Sequence, residues 1–450
     1  YHTELGQHPG LYAAYQRIAS GPEYAQLNPA QRKVIDDALR DFRLSGVALP
    51  PEQRTRYKDI QQELASLSAK FSENVLDATQ AWTKHLTDEV QLAGLPESAC
   101  ALARQTAGQR GLDGWLLTLE WPSYLPVLNY ADDRELRREL YSAYCTRASD
   151  QEPNAGQWDN GPIMERILAL RHELAQLLGF RDYSECSLAT KMADSPEQVL
   201  DFLNDLAHRA KPQAQREFAE LQDFAREQFN APELEAWDIG YYAEKLRQHR
   251  YQLSQEELRP YFPITRVLPG LFTVAERLFG VTIRPLEGVE TWYPDVLVYE
   301  IVDSAGTRRG RFYLDLYTRP HKRGGAWMDG CLARRRLGDA VRTPAAYLVC
   351  NFTPPVGDDP ALLTHSEVLT MFHEFGHGLH HLLTTVDYLP IAGIHGVEWD
   401  AVELPSQFLE NWCWSREALD ELAGHYQTGE PLPDELYQRM LAARYFQAGL

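Results

Sequence analysis

Cysteine is scarce in this sequence, and its arrangement excludes a disulfide scaffold. Six cysteines occur in 450 residues, and no two of them form a CxxC pair. Folds that depend on disulfides are short and carry a much denser set of cysteines. The spacing therefore predicts a reducing compartment, and we expect a cytoplasmic location.

Long apolar segments and an excess of basic residues are also missing. No stretch approaches the roughly 20 apolar residues that span a bilayer, so we predict no membrane partner. The chain has 44 Lys and Arg against 64 Asp and Glu, which gives a formal net charge of -20. Nucleic acids and anionic membranes bind basic surfaces, so this charge argues against both classes of partner.

Helical periodicity dominates what is present. In residues 51–86 the apolar side chains recur in steps of three and four, which predicts a long amphipathic helix. Ser195 precedes Pro196 and lies three residues before Gln198, an arrangement typical of a helix N-terminus. A further amphipathic pattern opens after Pro433, and we expect that helix to run to the end of the sequence.

One part of the chain has a different pattern. Three β-rich segments lie at residues 297–302, 311–317 and 346–352, and the turn between the first two predicts a hairpin. A Gly-rich loop at residues 323–326 separates the second segment from the third. An exposed edge of this small sheet can hold an extended peptide as an added strand, or the hairpin can be purely structural.

The clearest chemical signal is the HExxH sequence at residues 373–377. Residues four apart lie one turn above each other on a helix, so the imidazoles of His373 and His377 can bind one zinc ion. Glu374 then projects beside the metal, where it can act as a base. A merely buried histidine pair is the alternative, but it would leave the Glu374 carboxylate uncompensated in a low dielectric. The pattern therefore predicts a catalytic zinc site.

Two further histidines follow on the same predicted helix. His381 lies four residues after His377, but Gly378 follows His377, so this second pair has no glutamate in the position of a base. We interpret His380 and His381 either as groups beside the ligands or the substrate, or as ordinary surface histidines.

Catalytic zinc needs a third protein ligand in addition to an open coordination position. The longer pattern HExxHxxGxxH is excluded, because His380 and Leu383 occupy the positions of its Gly and its third His. Spacing favours Glu403 only slightly among the candidates that follow, and it makes Asp400 suitable as an acceptor that orients a ligating imidazole. The candidates are His395, Glu398, Asp400 and Glu403.

Three segments together carry a resemblance to a known family. They are HEFGHGLHHLL, VEWDAVELPSQFLENWCW and FYLDLYTRPHKRGGAWMD, and the similarity extends along nearly the whole chain. The chain resembles the thimet oligopeptidase family of zinc metallopeptidases, and within that family its bacterial members. The resemblance implies a mainly α fold in which two helical lobes flank a deep channel and a small β-sheet lies next to the HExxH helix.

The resemblance also implies a site and a substrate class. His373, His377 and Glu403 would bind one Zn2+ ion, Glu374 would be the general base, and Asp400 matches an acidic position three residues before the third ligand. Short unstructured peptides would enter the channel, whereas folded proteins would not. We therefore expect a monomeric zinc-dependent endopeptidase in which Glu374 activates a zinc-bound water.

The same resemblance divides the chain into an N-terminal helical region, residues 1–125, and a catalytic domain, residues 126–450. Family members carry a further C-terminal segment whose His and Tyr residues bind substrate, and we expect an N-terminal helical stretch of the family to be missing as well. We therefore expect this chain to be truncated at both ends and, in isolation, inactive or strongly impaired. A second hypothesis stays open, namely a non-catalytic peptide-binding scaffold that keeps zinc for its shape.

Overall fold

The computed structural model describes residues 2–450, and over this range the chain is mainly helical, as predicted. The α-helices are α1 His2–Gly6, α2 Pro9–Ser20, α3 Pro29–Leu44, α4 Pro51–Ala81, α5 Glu97–Gln109, α6 Trp121–Tyr130, α7 Arg134–Cys145, α8 Gly161–Leu177, α9 Tyr183–Leu188, α10 Pro196–Phe229, α11 Ala236–Tyr251, α12 Gln255–Leu258, α13 Ile264–Phe279, α14 His365–Leu382, α15 Leu404–Glu410, α16 Arg416–Leu422 and α17 Asp434–Ala442. The strands are β1 Thr83–Leu86, β2 Trp115–Thr118, β3 Val281–Pro285, β4 Leu297–Asp303, β5 Arg308–Tyr317, β6 Trp327–Leu332, β7 Arg335–Leu337, β8 Ala340–Arg342 and β9 Ala345–Phe352.

The principal sheet has five strands in the order β3-β4-β5-β9-β6. β4 and β5 form the predicted antiparallel hairpin, β5 and β9 run parallel, and β6 pairs antiparallel with β9. Alternate side chains of β5 and β9, such as Phe312 and Leu348, point into the core that α13 and α14 share with the sheet. The small sheet next to the HExxH helix is therefore confirmed, and β6 forms the edge of that sheet beside α14.

Most helix boundaries follow the local signals in the sequence, and two differ. Ser195 accepts a hydrogen bond from the Gln198 backbone N–H at 3.1 Å and caps α10, as predicted. The helix predicted for residues 51–86 ends at Ala81, because residues 83–86 pair with β2 instead. The helix after Pro433 ends at Ala442, short of the end of the sequence. Among residues 2–450, none of the helices combines the length and the apolar character of a membrane-spanning segment.

His365, the first residue of α14, is a buried imidazole at the centre of the main core. Its Nε2–H donates to the Cys413 carbonyl at 2.9 Å, and its ring packs against Phe262 and Trp414. Burial lowers the pKa of His365 to about 4. The ring is therefore neutral in the folded chain at neutral pH, and it fastens the start of α14 to the segment that follows α15.

We expect the free energy of unfolding to decrease between pH 6.5 and about pH 4 because of His365. The unfolded chain protonates this imidazole near pH 6.5 and the folded chain only near pH 4, so added protons favour unfolding. At roughly 1.4 kcal/mol per pKa unit, the full effect amounts to roughly 3 kcal/mol. Urea denaturation of the metal-free chain across this pH range measures the effect.

The matched variant for that measurement is H365Q, which keeps a donor for the Cys413 carbonyl but does not titrate in this window. Its stability profile should be flatter than that of the wild type between the two pH values. The same pH slope in both proteins would show that His365 is not the group responsible.

Candidate metal centre

α14 presents its histidines from a helix that is fixed at its start. The Glu367 backbone N–H donates to Thr364 Oγ1 at 3.1 Å, and the Thr364 backbone N–H donates to Glu367 Oε2 at 2.7 Å. This reciprocal pair is a capping box, which satisfies two backbone donors that the first helical turn leaves free. Behind the cap, the apolar face of α14 is buried in the main core, so the opposite face is held rigidly.

Three ligand atoms converge on the outer face of α14. Glu403 Oε2 lies 3.1 Å from His373 Nε2 and 3.1 Å from His377 Nε2. The two imidazole rings are 4.9 Å apart between centroids and nearly perpendicular, at 84°. All three ligand atoms lie within 4.8 Å of one another. The structure therefore brings together the three residues that the sequence analysis favoured.

The residues present fit a zinc ion. Bond lengths of about 2.0–2.2 Å in a tetrahedral arrangement place ligand atoms about 3.3 Å apart, close to the separations of Glu403 from both imidazoles. Burial lowers the pKa of His377, against the opposing effect of Glu403, and this favours the neutral imidazole that binds metals. The two imidazole nitrogens and the carboxylate oxygen face one point. All three atoms carry lone pairs, so a cation at that point would stabilise their close approach.

Glu403 is held in place by the first turn of α15. It is the residue that precedes α15, and its side chain is half exposed. The Ser406 hydroxyl lies 2.9 Å from Glu403 Oε2 and 2.7 Å from the Glu403 carbonyl, so its proton is shared between these two acceptors. Ser406 itself is fully buried. The carboxylate therefore keeps one oxygen toward the histidines.

Gly376 permits the close approach of α14 and α15. A Cβ atom at this position would lie 2.6 Å from the Ser406 Cα and 2.7 Å from the Pro405 carbonyl oxygen. These are backbone atoms, which cannot rotate away as the end of a side chain can. Glycine is therefore required by space here, and the helix that begins after Glu403 would otherwise be pushed outward.

Glu410 is a residue of the site that the sequence analysis missed. The His373 Nδ1–H donates to Glu410 Oε1 at 2.7 Å, so the Nε2 lone pair of His373 faces the other two ligand atoms. A carboxylate in this position fixes the tautomer and orientation of a ligating imidazole. The available signal was spacing, because Glu410 lies seven residues after Glu403 and hence two turns along the same helical face.

Asp400 lies elsewhere, and the orienting role expected of it is taken by Glu410. Its two carboxylate oxygens accept the backbone N–H groups of Met192 and Ala193 at 2.9–3.0 Å. Asp400 belongs to a short 3₁₀ turn at residues 399–401, and α15 begins only after Glu403. Because the two acidic residues are not consecutive turns of one helix, Asp400 does not face α14.

The remaining candidates are also apart from the three converging residues. Glu398 accepts a hydrogen bond from Lys33 Nζ at 3.2 Å, and the exposed His395 lies with its ring 5.7 Å from that of His381. His381 is completely buried, and its Nε2–H donates to the Leu332 carbonyl at 3.0 Å. His381 is thus neither a surface histidine nor a neighbour of the ligands, but a link between α14 and β6.

Glu374 is buried next to the histidines, as the HExxH spacing predicts. Its side chain is 6% exposed, and no hydrogen-bond partner for its Oε2 occurs among residues 2–450. Burial raises the pKa of Glu374 to about 7, with Glu403 adding to the increase and His373 opposing it. A carboxyl group with this pKa changes its protonation state readily near neutral pH.

Comparisons with known proteins identify the family of this chain. Residues 127–450 match the family model described as Peptidase family M3, and residues 1–54 match that of the Neurolysin/Thimet oligopeptidase N-terminal domain. The chain belongs to peptidase family M3. The resemblance to the thimet oligopeptidase family is therefore confirmed, whereas the domain division at residue 125 stays a prediction.

Two relatives of this M3 chain and one solved structure extend the comparison. Oligopeptidase A of Salmonella typhimurium and that of Escherichia coli are each 57% identical over 451 residues, covering 100% of this chain and 66% of the relative. The chain thus spans just under two thirds of the length of these curated relatives. The structure of a putative oligoendopeptidase F from Bacillus anthracis aligns with a TM-score of 0.52 at 14% identity, over 100% of this chain and 63% of that chain. That last likeness concerns the fold alone.

We expect G376A to lower the zinc affinity by about tenfold or more, because metal sites depend on ligand positions to within about 0.5 Å. The new methyl group meets the backbone of Pro405 and Ser406 and displaces Glu403. Chelator competition measures the affinity. G378A is the matched control on the same helix, because the three atoms nearest to its Cβ belong to the Leu348 side chain, the closest at 3.1 Å, rather than to backbone. Equal affinities in the two variants would contradict this account of Gly376.

We also expect E410A to lower the zinc affinity about 10- to 100-fold, since the His373 ring loses the acceptor that fixes its tautomer. E410Q should lose less, because its amide oxygen can still accept from His373 Nδ1–H. Calorimetric titration with zinc measures both values. E417A, at an exposed glutamate seven residues further on, is the control. An unchanged affinity in E410A would rule out this orienting role.

Proposed function

We propose that this chain carries the catalytic centre of a zinc-dependent endopeptidase that hydrolyses short unstructured peptides. The observation that carries the proposal is the convergence of His373 Nε2, His377 Nε2 and Glu403 Oε2. Beside them lies the buried carboxylate of Glu374, whose Oε2 has no hydrogen-bond partner among the described residues. Family M3 membership and relatives named oligopeptidase A support peptide hydrolysis as the reaction.

In this proposal His373, His377 and Glu403 hold one Zn2+ ion, and Glu410 keeps the His373 ring in its ligating orientation. Zinc bound there would polarise the scissile carbonyl and make water acidic enough to attack it near neutral pH. With three ligands from the protein, a fourth position stays open for substrate or water, as in other catalytic zinc sites. The buried apolar side of α14 resists displacement of the two imidazoles.

Glu374 moves the protons of the reaction. Its ionised carboxylate accepts a proton from the attacking water as the new C–O bond forms at the scissile carbon. The same carboxyl group then gives that proton to the leaving nitrogen as the C–N bond breaks, so the enzyme ends the cycle in its starting state. Burial of Glu374 raises its pKa, which favours uptake of the proton by the carboxylate and keeps the same group able to act as base and then as acid.

The sheet edge beside α14 supports an extended peptide as the substrate. β6 has a neighbour only on its β9 side within the described sheet, so its other edge has backbone groups available for pairing. A peptide added to this edge would lie along α14, which contacts β6. We also propose a cytoplasmic location, which the six free cysteines support. A monomeric state and a substrate channel remain predictions from the resemblance.

We expect E374Q to keep its zinc and to lose about 10²- to 10⁴-fold in turnover, since the amide cannot take the proton. Hydrolysis of an internally quenched fluorescent peptide by the full-length protein that contains this chain measures turnover, and metal analysis of the same samples measures zinc. E287Q, the same change at an exposed glutamate, is the control. A chelator should abolish wild-type hydrolysis, and added zinc should restore it.

Two outcomes would contradict the proposal in different ways. Turnover near the wild-type value in zinc-loaded E374Q would refute the role of Glu374 as base. A full-length protein containing this chain that binds one equivalent of zinc and a peptide, but shows no chelator-sensitive hydrolysis, would favour the non-catalytic scaffold.

A further inference from the structure

We propose that Asp400 is a positioning residue that couples the loop in front of α10 to the third metal ligand, Glu403. The proposal rests on the zinc site of the preceding section. It concerns the connecting segment, residues 383–403, which joins α14 to α15 and brings Glu403 to the histidines.

The contact between Asp400 and the α10 loop is made to the backbone. Met192 N–H lies 2.9 Å from Asp400 Oδ1 and 3.0 Å from Oδ2, and Ala193 N–H lies 3.0 Å from Oδ2. A carboxylate that accepts two successive backbone N–H groups fixes both the distance and the orientation of the loop. Ser195, which caps α10, lies only two residues after Ala193. The contact with Asp400 therefore also fixes the position of the start of α10.

Polar contacts also join the rest of the connecting segment to the N-terminal helices. Lys33 Nζ of α3 donates to Glu398 Oε1 at 3.2 Å, and the Asn28 amide at the start of α3 donates to Tyr388 Oη at 3.1 Å. Between α3, Thr190 and residues 396–399 there is a cavity of about 340 Å³. Because of this cavity, the connecting segment packs loosely against α3. Hydrogen bonds therefore determine the position of its backbone.

Glu403 depends on that path. Only two residues separate it from Asp400, and its side chain is half exposed, with Ser406 holding one carboxylate oxygen. A displacement of the turn at residues 399–401 is transmitted to the residue that begins α15 and hence to the carboxylate. Coupling of this kind is reciprocal: if the Asp400 contact favours zinc binding, zinc binding must strengthen the Asp400 contact.

Two measurements on the 450-residue chain test the coupling. The first is the zinc affinity by chelator competition, for which we expect a loss of about tenfold in D400A. D400N should lose less, because its Oδ1 still accepts from Met192 N–H. D194N, at a carboxylate on the same loop that makes no side-chain hydrogen bond in the described structure, should match the wild type.

The second measurement is amide hydrogen exchange at Met192 and Ala193, with and without zinc. We expect zinc to slow exchange at both amides in the wild type and in D194N, and to have no such effect in D400A. Thermal unfolding of the metal-free variants serves as the folding control, and D400N carries the test if D400A does not fold.

The outcomes separate this proposal from the one it rests on. Wild-type chain that fails to bind zinc would overturn the proposed zinc site. Zinc binding that is equally tight in folded D400A and wild type, or that leaves exchange at Met192 and Ala193 unchanged in the wild type, would overturn the role of Asp400 alone.

Discussion

The close contact between α14 and α15 is the constraint on which the site depends. Gly376 has no side chain, so the backbone of Pro405 and Ser406 can lie against α14 at a distance that any other residue would prevent. That approach brings Glu403 within 3.1 Å of both imidazoles and Glu410 within 2.7 Å of the His373 ring. A single glycine between the two histidines therefore permits the positions of Glu403 and Glu410.

Burial then gives the acidic residues their different characters. Glu374 and Glu403 are both near His373, yet Glu374 is buried and has its pKa raised, whereas half of the Glu403 side chain is exposed. Removal from water disfavours the charged form of a carboxylate unless donors or cations surround it. The helix thus supplies a carboxyl group that exchanges protons, while the connecting segment and α15 supply one suited to binding a cation.

Much of this could be predicted from the sequence, because it depends on local periodicity. The i,i+4 histidines, the capped start of α10 and the hairpin of β4 and β5 follow from patterns within a few residues. The third partner required tertiary structure, and the resemblance to a family selected Glu403 where spacing alone did not. Glu410 rather than Asp400 orients His373, because residues 399–401 form a separate 3₁₀ turn and α15 begins only after Glu403.

His381 illustrates a second limit of sequence reasoning. Its spacing from His377 is the same as that of His377 from His373. His381, however, lies one turn further along α14, where β6 covers the helix. Helical periodicity predicts on which side of α14 a residue lies. How much of that side stays uncovered depends on the position of β6. Burial of His381 could not be inferred without the strand order.

All the residues of the site lie in one continuous stretch of chain, in which Glu403 and Glu410 are two helical turns apart. Residues 365–410 contain both imidazoles, the buried base and both acidic partners, with no contribution from a distant element to the set of ligand atoms. One residue inserted between Glu403 and Glu410 would rotate them apart by about 100° and would separate the ligand from the group that orients its neighbour. A change in the length of α15 between these two residues would therefore disrupt the site even where the surrounding fold could accommodate the insertion.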